Sequence, residues 1–489
     1  MTIKIQKNNS MKRIITIAII MLGTGIMSCK KDIQNLNDDI KNPADVPPGS
    51  LFATGVKSLV DNISTPNVNS GIFRLLAQQW TETTYTDESN YDLNTRNIPQ
   101  NFWNSMYTGV LKSFVESAKL VPKQDPTYVT AGTIKNQLAI LEIMSVYAYS
   151  VLVDTYGNIP YSEGLNIDDV TPKYDDAKTI YDDLLTRLDA ATANLDNAES
   201  GFGSSDILLA DNIDGWKRFA NSLKLRMGME LADVDASKAK TIVESAIAGG
   251  VITSNDENVI FQYLAAPPNT NPVWVNLIQS GRKDFVAANT LVDIMKDLND
   301  PRVPLYFSAD ANGDYNGGEY GASNNYATYS KPNNKITAPD FPADLIDYSE
   351  VEFLLAEAKE RGFTVPGTAA DHYTAAITAS ILFWGGTEAQ ATEYIAQPAV
   401  NYATAAGTYK EKIGNQKWIS LYNRGFEAWT EWRRFDFPQL VAPADALSDI
   451  PVRYTYPVQE QNLNVTNYTE AASAIGGDDV TTKIFWDKF

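Results

Sequence analysis

YSEVEFLLAEAKERGF, Tyr348 to Phe363, is followed after a short connection by AADHYTAAITASILFWGG, Ala369 to Gly386. Ala and Leu fill the first segment, and Arg361-Gly362 supplies a helix stop. The second segment starts a few residues later and carries Tyr and Ala on a helical pattern. Together they read as two helices joined by a tight turn, and they set the fold class as mainly α. His372, the single histidine of the chain, sits on the second helix. With no other histidine, a His-rich metal site or a Ser-His-Asp triad has almost no material, and we read His372 as structural.

The same helical period extends outward from this hairpin. Leu51 to Ile63, Ile72 to Thr83, Phe102 to Leu120 and Ile134 to Asp154 read as helices, the last with an apolar face broad enough to be central. Ile180, Tyr181, Leu184, Leu185 and Leu188 form an amphipathic stripe, with Pro172 and neighbouring Asp residues as its start. Trp216 to Ala232 and Asn289 to Leu298 follow. Ile413 to Leu440 is a last long helix, broken at Gly425 or just before Pro438. The Tyr348–Gly386 hairpin resembles a tetratricopeptide unit, although no strict repeat runs along the chain. Long irregular stretches separate the helices: Ala265 to Gln279, Asp310 to Pro342 and the C-terminal 50 residues. Loops of this length are functional or disordered, and the tyrosines in them argue for function.

The N-terminus carries a targeting signal. Lys12 and Arg13 precede an apolar run from Ile15 to Ile26, then Met27, Ser28 and Cys29. The run is too short for a permanent span, which needs roughly 20 residues, and it fits a signal peptide over residues 1–28. Met11 stands directly before the basic pair and is a candidate translation start. Cys29 is the only cysteine, so no disulfide can form within the chain. Ile26-Met27-Ser28-Cys29 looks like a bacterial lipobox, in which the cysteine becomes the acylated N-terminus. More than one acyl chain gives stable anchoring. Residues 29–50, polar and with Pro47-Pro48, read as a tether, and the body occupies 51–489.

Removing residues 1–28 takes away Lys4, Lys7, Lys12 and Arg13, which moves the formal charge from −20 to −24. Such a surface disfavours nucleic acid, whose phosphates demand cations. Aromatic content is 11%, with Tyr the commonest ring, a residue suited to cores and to wet binding surfaces. There is no P-loop, no glycine-rich nucleotide motif and no zinc spacing.

Several segments in order resemble the SusD/RagB family of nutrient-binding outer-membrane lipoproteins, in particular its second SusD-like subgroup. They are NPADVPPGSLF, QQWTETTYTDESNYDLN, FWNSMYTGVL, YGNIPYSEGL, WKRFANSLKLRMGMELA, LNDPRVPLYF, YSEVEFLLAEAKERG, QKWISLYNRGFEAWTEWRR, and IPVRYTYPVQEQNLN with the terminal FWDKF. The resemblance implies tetratricopeptide-like helix pairs forming a superhelical scaffold, with irregular loops carrying the ligand face. It implies a lipid-anchored, surface-exposed protein of the outer membrane. Such a protein captures an oligosaccharide or a peptide and acts as a lid on a SusC-type TonB-dependent transporter, without catalysis and without a cofactor. Lys30 and Lys31 before Asp32 match the surface-export signal of such lipoproteins only approximately.

By position, the resemblance directs attention to two segments. The first offers Trp80, Tyr85, Asp87, Tyr91 and Asn94; the second offers Tyr315, Tyr320, Asn324, Asn325 and Tyr326. Aromatic faces stack on the apolar C–H surface of sugars, and amides and carboxylates take the hydroxyls. Trp80 also continues a helical pattern and reads more readily as core. Asp310, Asn312 and Asp314 have the alternate spacing of calcium ligands, but Tyr315 stands where an EF-hand needs Gly and Gly321 where it needs Glu. A looser calcium site stays open, since the family includes calcium binders. Carboxylate pairs such as Glu82 with Asp87, Asp87 with Glu88 or Glu350 with Glu352 keep a lipid-anchored glycoside hydrolase open as a second reading. A structural or adhesive lipoprotein is a third. Arg433 and Arg434, between aromatics, are expected to pair with acids or helix-end carbonyls inside the protein.

Overall fold

The computed structural model describes residues 46–489. The signal peptide, Cys29 and the tether as far as residue 45 lie outside the described residues. The body starts earlier than Leu51: the first helix, α1, spans Pro48–Ser64, with proline at the first helical position, where its missing N–H costs nothing. Its apolar stripe Phe52, Val56, Leu59, Val60 and Ile63 is buried. The longer helices that follow are α2 (Lys112–Leu120), α3 (Ala131–Tyr156), α4 (Ala177–Asn194), α5 (Ile213–Glu230), α6 (Ala236–Gly249), α7 (Tyr348–Glu360), α8 (Ala369–Trp384), α9 (Tyr409–Ser420) and α10 (Gly425–Phe435). They pack as consecutive pairs: α1 with α2, α3 with α4, α5 with α6, α7 with α8, and α9 with α10. The fold is mainly α and tetratricopeptide-like, as the hairpin implies.

Seven of these helices start on a polar side chain that accepts the backbone N–H three residues on. The caps are Thr130, Asp176, Asn212, Asp235, Asp347, Thr368 and Thr408. The cap at Asp176 sets the start of α4 later than Pro172, because Asp175 is first engaged in a bridge with Ile159. The α7–α8 turn is made at Gly362, whose φ of +78° suits glycine. α3 is long and apolar enough to cross a membrane, but 83% of its apolar window is buried inside the protein. It is a central core helix. The Ile413–Leu440 pattern divides at Gly425, where a Cβ would sit 2.6 Å from the Arg74 backbone nitrogen.

Ion pairs hold the helix pairs together from inside. Glu350 accepts two bonds from Arg226 (2.6 and 2.9 Å) and one from Arg424 (2.6 Å), tying α7 to α5 and to the turn before α10. Burial opposes ionisation of this carboxyl, but the two guanidiniums outweigh it and hold it at about 2. Arg434 donates to Glu431 (2.6 Å) and Glu357 (2.8 Å), and Arg433 to the carbonyls of Asp154 (2.7 Å) and Val452 (2.8 Å). His372 lies between Glu352 (2.6 Å) and the Pro366 carbonyl (2.7 Å), bracing α8 against α7. These groups are internal braces.

Three short antiparallel pairs complete the architecture: β1 (Trp80–Glu82) with β3 (Phe285–Ala287), β2 (Val259–Phe261) with β6 (Ala343–Ile346), and β4 (Phe307–Ser308) with β5 (Lys331–Pro332). β1 corrects the helix expected over Ile72–Thr83. The helix covers only Phe73–Leu76, Gln78 turns the chain at φ +51°, and the next residues enter a strand. The C-terminal region also departs from expectation, with helices at Val458–Leu463 and Val465–Ala474. The second of these buries only Ala471, so it has no apolar stripe to read.

Candidate functional site

β1 is paired in register with β3: Trp80 opposite Ala287, Thr81 opposite Val286 and Glu82 opposite Phe285. The chain leaves β1 into the loop 83–97. Glu82, nearly fully buried, ties that loop down: its Oε2 accepts from the Ser89 N–H (2.8 Å) and the Ser89 hydroxyl (2.9 Å). Glu88 lies beside it, buried and paired with Arg96. Burial, and then the Glu88 carboxyl, push Glu82 up to about 9, so Glu82 is protonated at neutral pH while Glu88 balances Arg96.

The second segment folds back onto the first. Asn324 donates to the carbonyls of Glu82 (3.1 Å), Glu319 (2.9 Å) and Ala322 (2.8 Å), and its N–H meets Thr83 O at 2.7 Å. Asn90 donates to Gly321 O (2.8 Å), and the Tyr320 hydroxyl to Leu75 O (2.7 Å). Gln78 reaches both the Tyr91 hydroxyl (3.1 Å) and Val441 O (2.8 Å), and Leu447 N–H bonds Asn90 O at 2.9 Å. Three stretches distant in sequence therefore meet on one face.

The structure separates the expected site residues into two sets. Trp80 is fully buried; its indole donates to Tyr422 (3.1 Å) and packs against Phe285. Tyr91 and Tyr320 are buried with ring centres 6.3 Å apart, and Asn324 is buried among the carbonyls it satisfies. These four are braces, because none presents a face or a donor to solvent. Tyr85 is 68% exposed. Asp87, Asn94 and Asn325 are exposed, and Tyr315 and Tyr326 are half-buried. The outward set is thus Tyr85, Asp87, Asn94, Tyr315, Asn325 and Tyr326.

Asp310 corrects the calcium reading. One of its oxygens accepts the N–H groups of Asn312 (2.8 Å) and Asp314 (3.1 Å), the other the Asn316 amide (2.8 Å). The carboxylate is consumed by its own turn, and the Asn312 and Asp314 side chains are exposed. Among the described residues no three His, Cys, Asp or Glu side chains gather as a metal site. The glycosidase pairs fare similarly: Glu82 is sealed beneath the loop, and Glu350 is locked between arginines. Sequence reasoning missed Lys283 and Lys331. Their ammoniums lie 5.7 and 4.9 Å from the centre of the Tyr326 ring. The strand pairing that brings the stretch 282–287 here joins residues about 200 apart, and no local pattern announces it.

A family model described as starch-binding and associating with the outer membrane matches residues 40–457. A solved chitin-binding protein is 26% identical with TM-score 0.79, covering 90% of this chain and all of its own. A chitin-binding SusD homolog from Flavobacterium johnsoniae is 26% identical with TM-score 0.77, covering 89% of this chain and 98% of its own. A SusD homolog from Bacteroides uniformis is 25% identical with TM-score 0.73, covering 90% of this chain and all of its own. No curated protein matches the sequence.

Proposed function

The chain belongs to the SusD-like family, associated with the outer membrane, and from that premise we propose that it captures an oligosaccharide at the cell surface and passes it, as a lid, to a SusC-type TonB-dependent transporter. The observation that carries this reading is the exposed Tyr85, held on a loop that is braced from inside and that also exposes Asp87 and Asn94. A rigid loop presenting a free ring gives a sugar a stacking platform at little entropic cost. Asp87, Asn94 and Asn325 accept and donate hydrogen bonds to hydroxyls. The chitin-binding relatives support a glycan over a peptide. Acylation at Cys29 supplies the anchor. Glu82 is the one carboxyl here held protonated, as a glycosidase acid would be. Its burial under the loop favours capture over hydrolysis.

Calorimetry of the form starting at Lys30, against oligosaccharides and peptides and with products monitored, tests the reading. Saturable binding without turnover, weakened about tenfold in Tyr85→Ala and kept in a variant outside this face, supports it. Turnover refutes the non-catalytic part. Cys29→Ala is expected to shift the protein from the membrane to the soluble fraction. Affinity purification of the anchored chain is expected to bring a large outer-membrane barrel with it.

A further inference from the structure

Resting on the glycan reading above, we propose that the captured glycan is acidic, and that a carboxylate or sulfate on it is held between Lys283 and Lys331 while a sugar ring packs at Tyr326. The three residues come from three elements. Lys283 precedes β3, Lys331 opens β5, and Tyr326 lies in the loop between Asp310 and β5. The Ala287 N–H to Ser330 O bond (2.9 Å) and the β4–β5 pair bring them together.

Both ammoniums are uncommitted to any acid. Asp284, the nearest carboxylate in sequence to Lys283, is taken by Arg282 at 2.5 Å. Among the described residues the Lys331 ammonium donates only to the Tyr329 carbonyl (2.9 Å), which fixes it beside the Tyr326 ring at 4.9 Å. Lys283 is exposed; its ammonium has no hydrogen-bond or ion-pair partner among the described residues and rests 5.7 Å from the centre of the same ring. The exposed acids of this face, Asp87 and Glu319, pair with neither. In a chain of net charge −20, two free ammoniums at one partly open ring form a local exception to the surrounding field. A long-range repulsion acts on an anionic ligand, and such a pair is what offsets it at contact. A neutral sugar's hydroxyls can accept from these ammoniums, but only an acid adds the attraction of opposite charges. An acid on the ligand draws Lys283 off the ring into a charge-assisted bond and gains a second from Lys331.

The test uses the full mature chain purified in detergent. It is titrated with an oligogalacturonate, with a sulfated galactan oligomer, and with the carboxyl-reduced or desulfated counterpart of each. The expected result is binding at least about tenfold tighter for one charged oligomer than for its neutral counterpart, weakening with salt. The arm that shows it tells carboxylate from sulfate. The double variant Lys283→Met/Lys331→Met is expected to lose the preference with an unchanged Tm, and Lys→Arg at both positions to keep it. Equal binding of charged and neutral forms, or a preference that survives the Met variant, overturns the proposal and leaves glycan capture standing. Tighter binding of an acidic peptide than of any glycan overturns it too. No binding of any glycan, charged or neutral, removes the capture reading and this proposal together.

Discussion

Replacing Glu82 by Gln isolates one buried proton. In the folded chain Glu82 holds its proton to about 9, against 4.5 for the free side chain. A carboxyl raised on folding contributes stability that is fully present below 4.5 and is lost as the pH rises through 9. At pH 7 the unfolded chain has released this proton and the folded chain has kept it. The interval from 4.5 to 7 then amounts to about 3 kcal/mol, at roughly 1.36 kcal/mol per pH unit. Gln has the shape of the protonated acid. Its carbonyl can accept the two Ser89 bonds now made by Oε2, and its amide can donate to the Glu88 oxygen left without a partner. Glu82→Gln should therefore match the parent at pH 4 and exceed it by about 3 kcal/mol at pH 7, with a larger gap at pH 8.5. Urea midpoints followed by tryptophan fluorescence at the three pH values measure this. A difference that stays constant with pH, or a variant less stable than the parent at pH 7, would refute the assignment of a buried proton to Glu82.

Other perturbations separate braces from contacts. Trp80→Ala removes a fully buried indole and is expected to cost about 3–5 kcal/mol, read as a fall in the urea midpoint. Tyr85→Ala, at an exposed position, should leave stability within about 0.5 kcal/mol while weakening glycan binding about tenfold in calorimetry. Glu350→Gln leaves Arg226 and Arg424 without their shared carboxylate and is expected to cost about 3–5 kcal/mol at pH 7. Because the Glu350 carboxyl is depressed to about 2, its stabilisation is present above 4.5 and lost as pH falls through 2. The cost of the variant should therefore shrink in acid unfolding curves. Asp310→Ala should speed backbone hydrogen exchange at Asn312 and Asp314, whose N–H groups it accepts, with little change elsewhere.

The helices were legible where a wide apolar stripe coincides with a capping residue. α4, α7 and α8 satisfy both conditions. α6 escapes notice because two of its buried positions are Ala239 and Ala246, which give a faint hydrophobic period. β1 was misread as helix because a three-residue strand buried at every position has no alternation to show. The reading of the braces followed from charge balance: Arg433, Arg434 and His372 sit in an acidic chain and found internal acceptors. The candidate site was legible as two segments and not as a set of side chains. Whether a loop tyrosine faces in or out depends on backbone angles such as the φ of +68° at Tyr91 and on hydrogen bonds to residues far along the chain. Lys283 and Lys331 carry no local signal at all.

The inward and outward residues of the loop 83–97 and its neighbour alternate within a few positions, so anchoring and recognition occupy the same segments without sharing a side chain. Glu82, Ser89, Tyr320 and Asn324 carry the fastening; Tyr85, Asp87, Asn325 and Tyr326 touch none of those bonds. The face is therefore a socket whose fixings are hidden behind it. Its outward residues can be randomised as a library on an unaltered backbone, and new specificities can be selected without re-solving the fold each time.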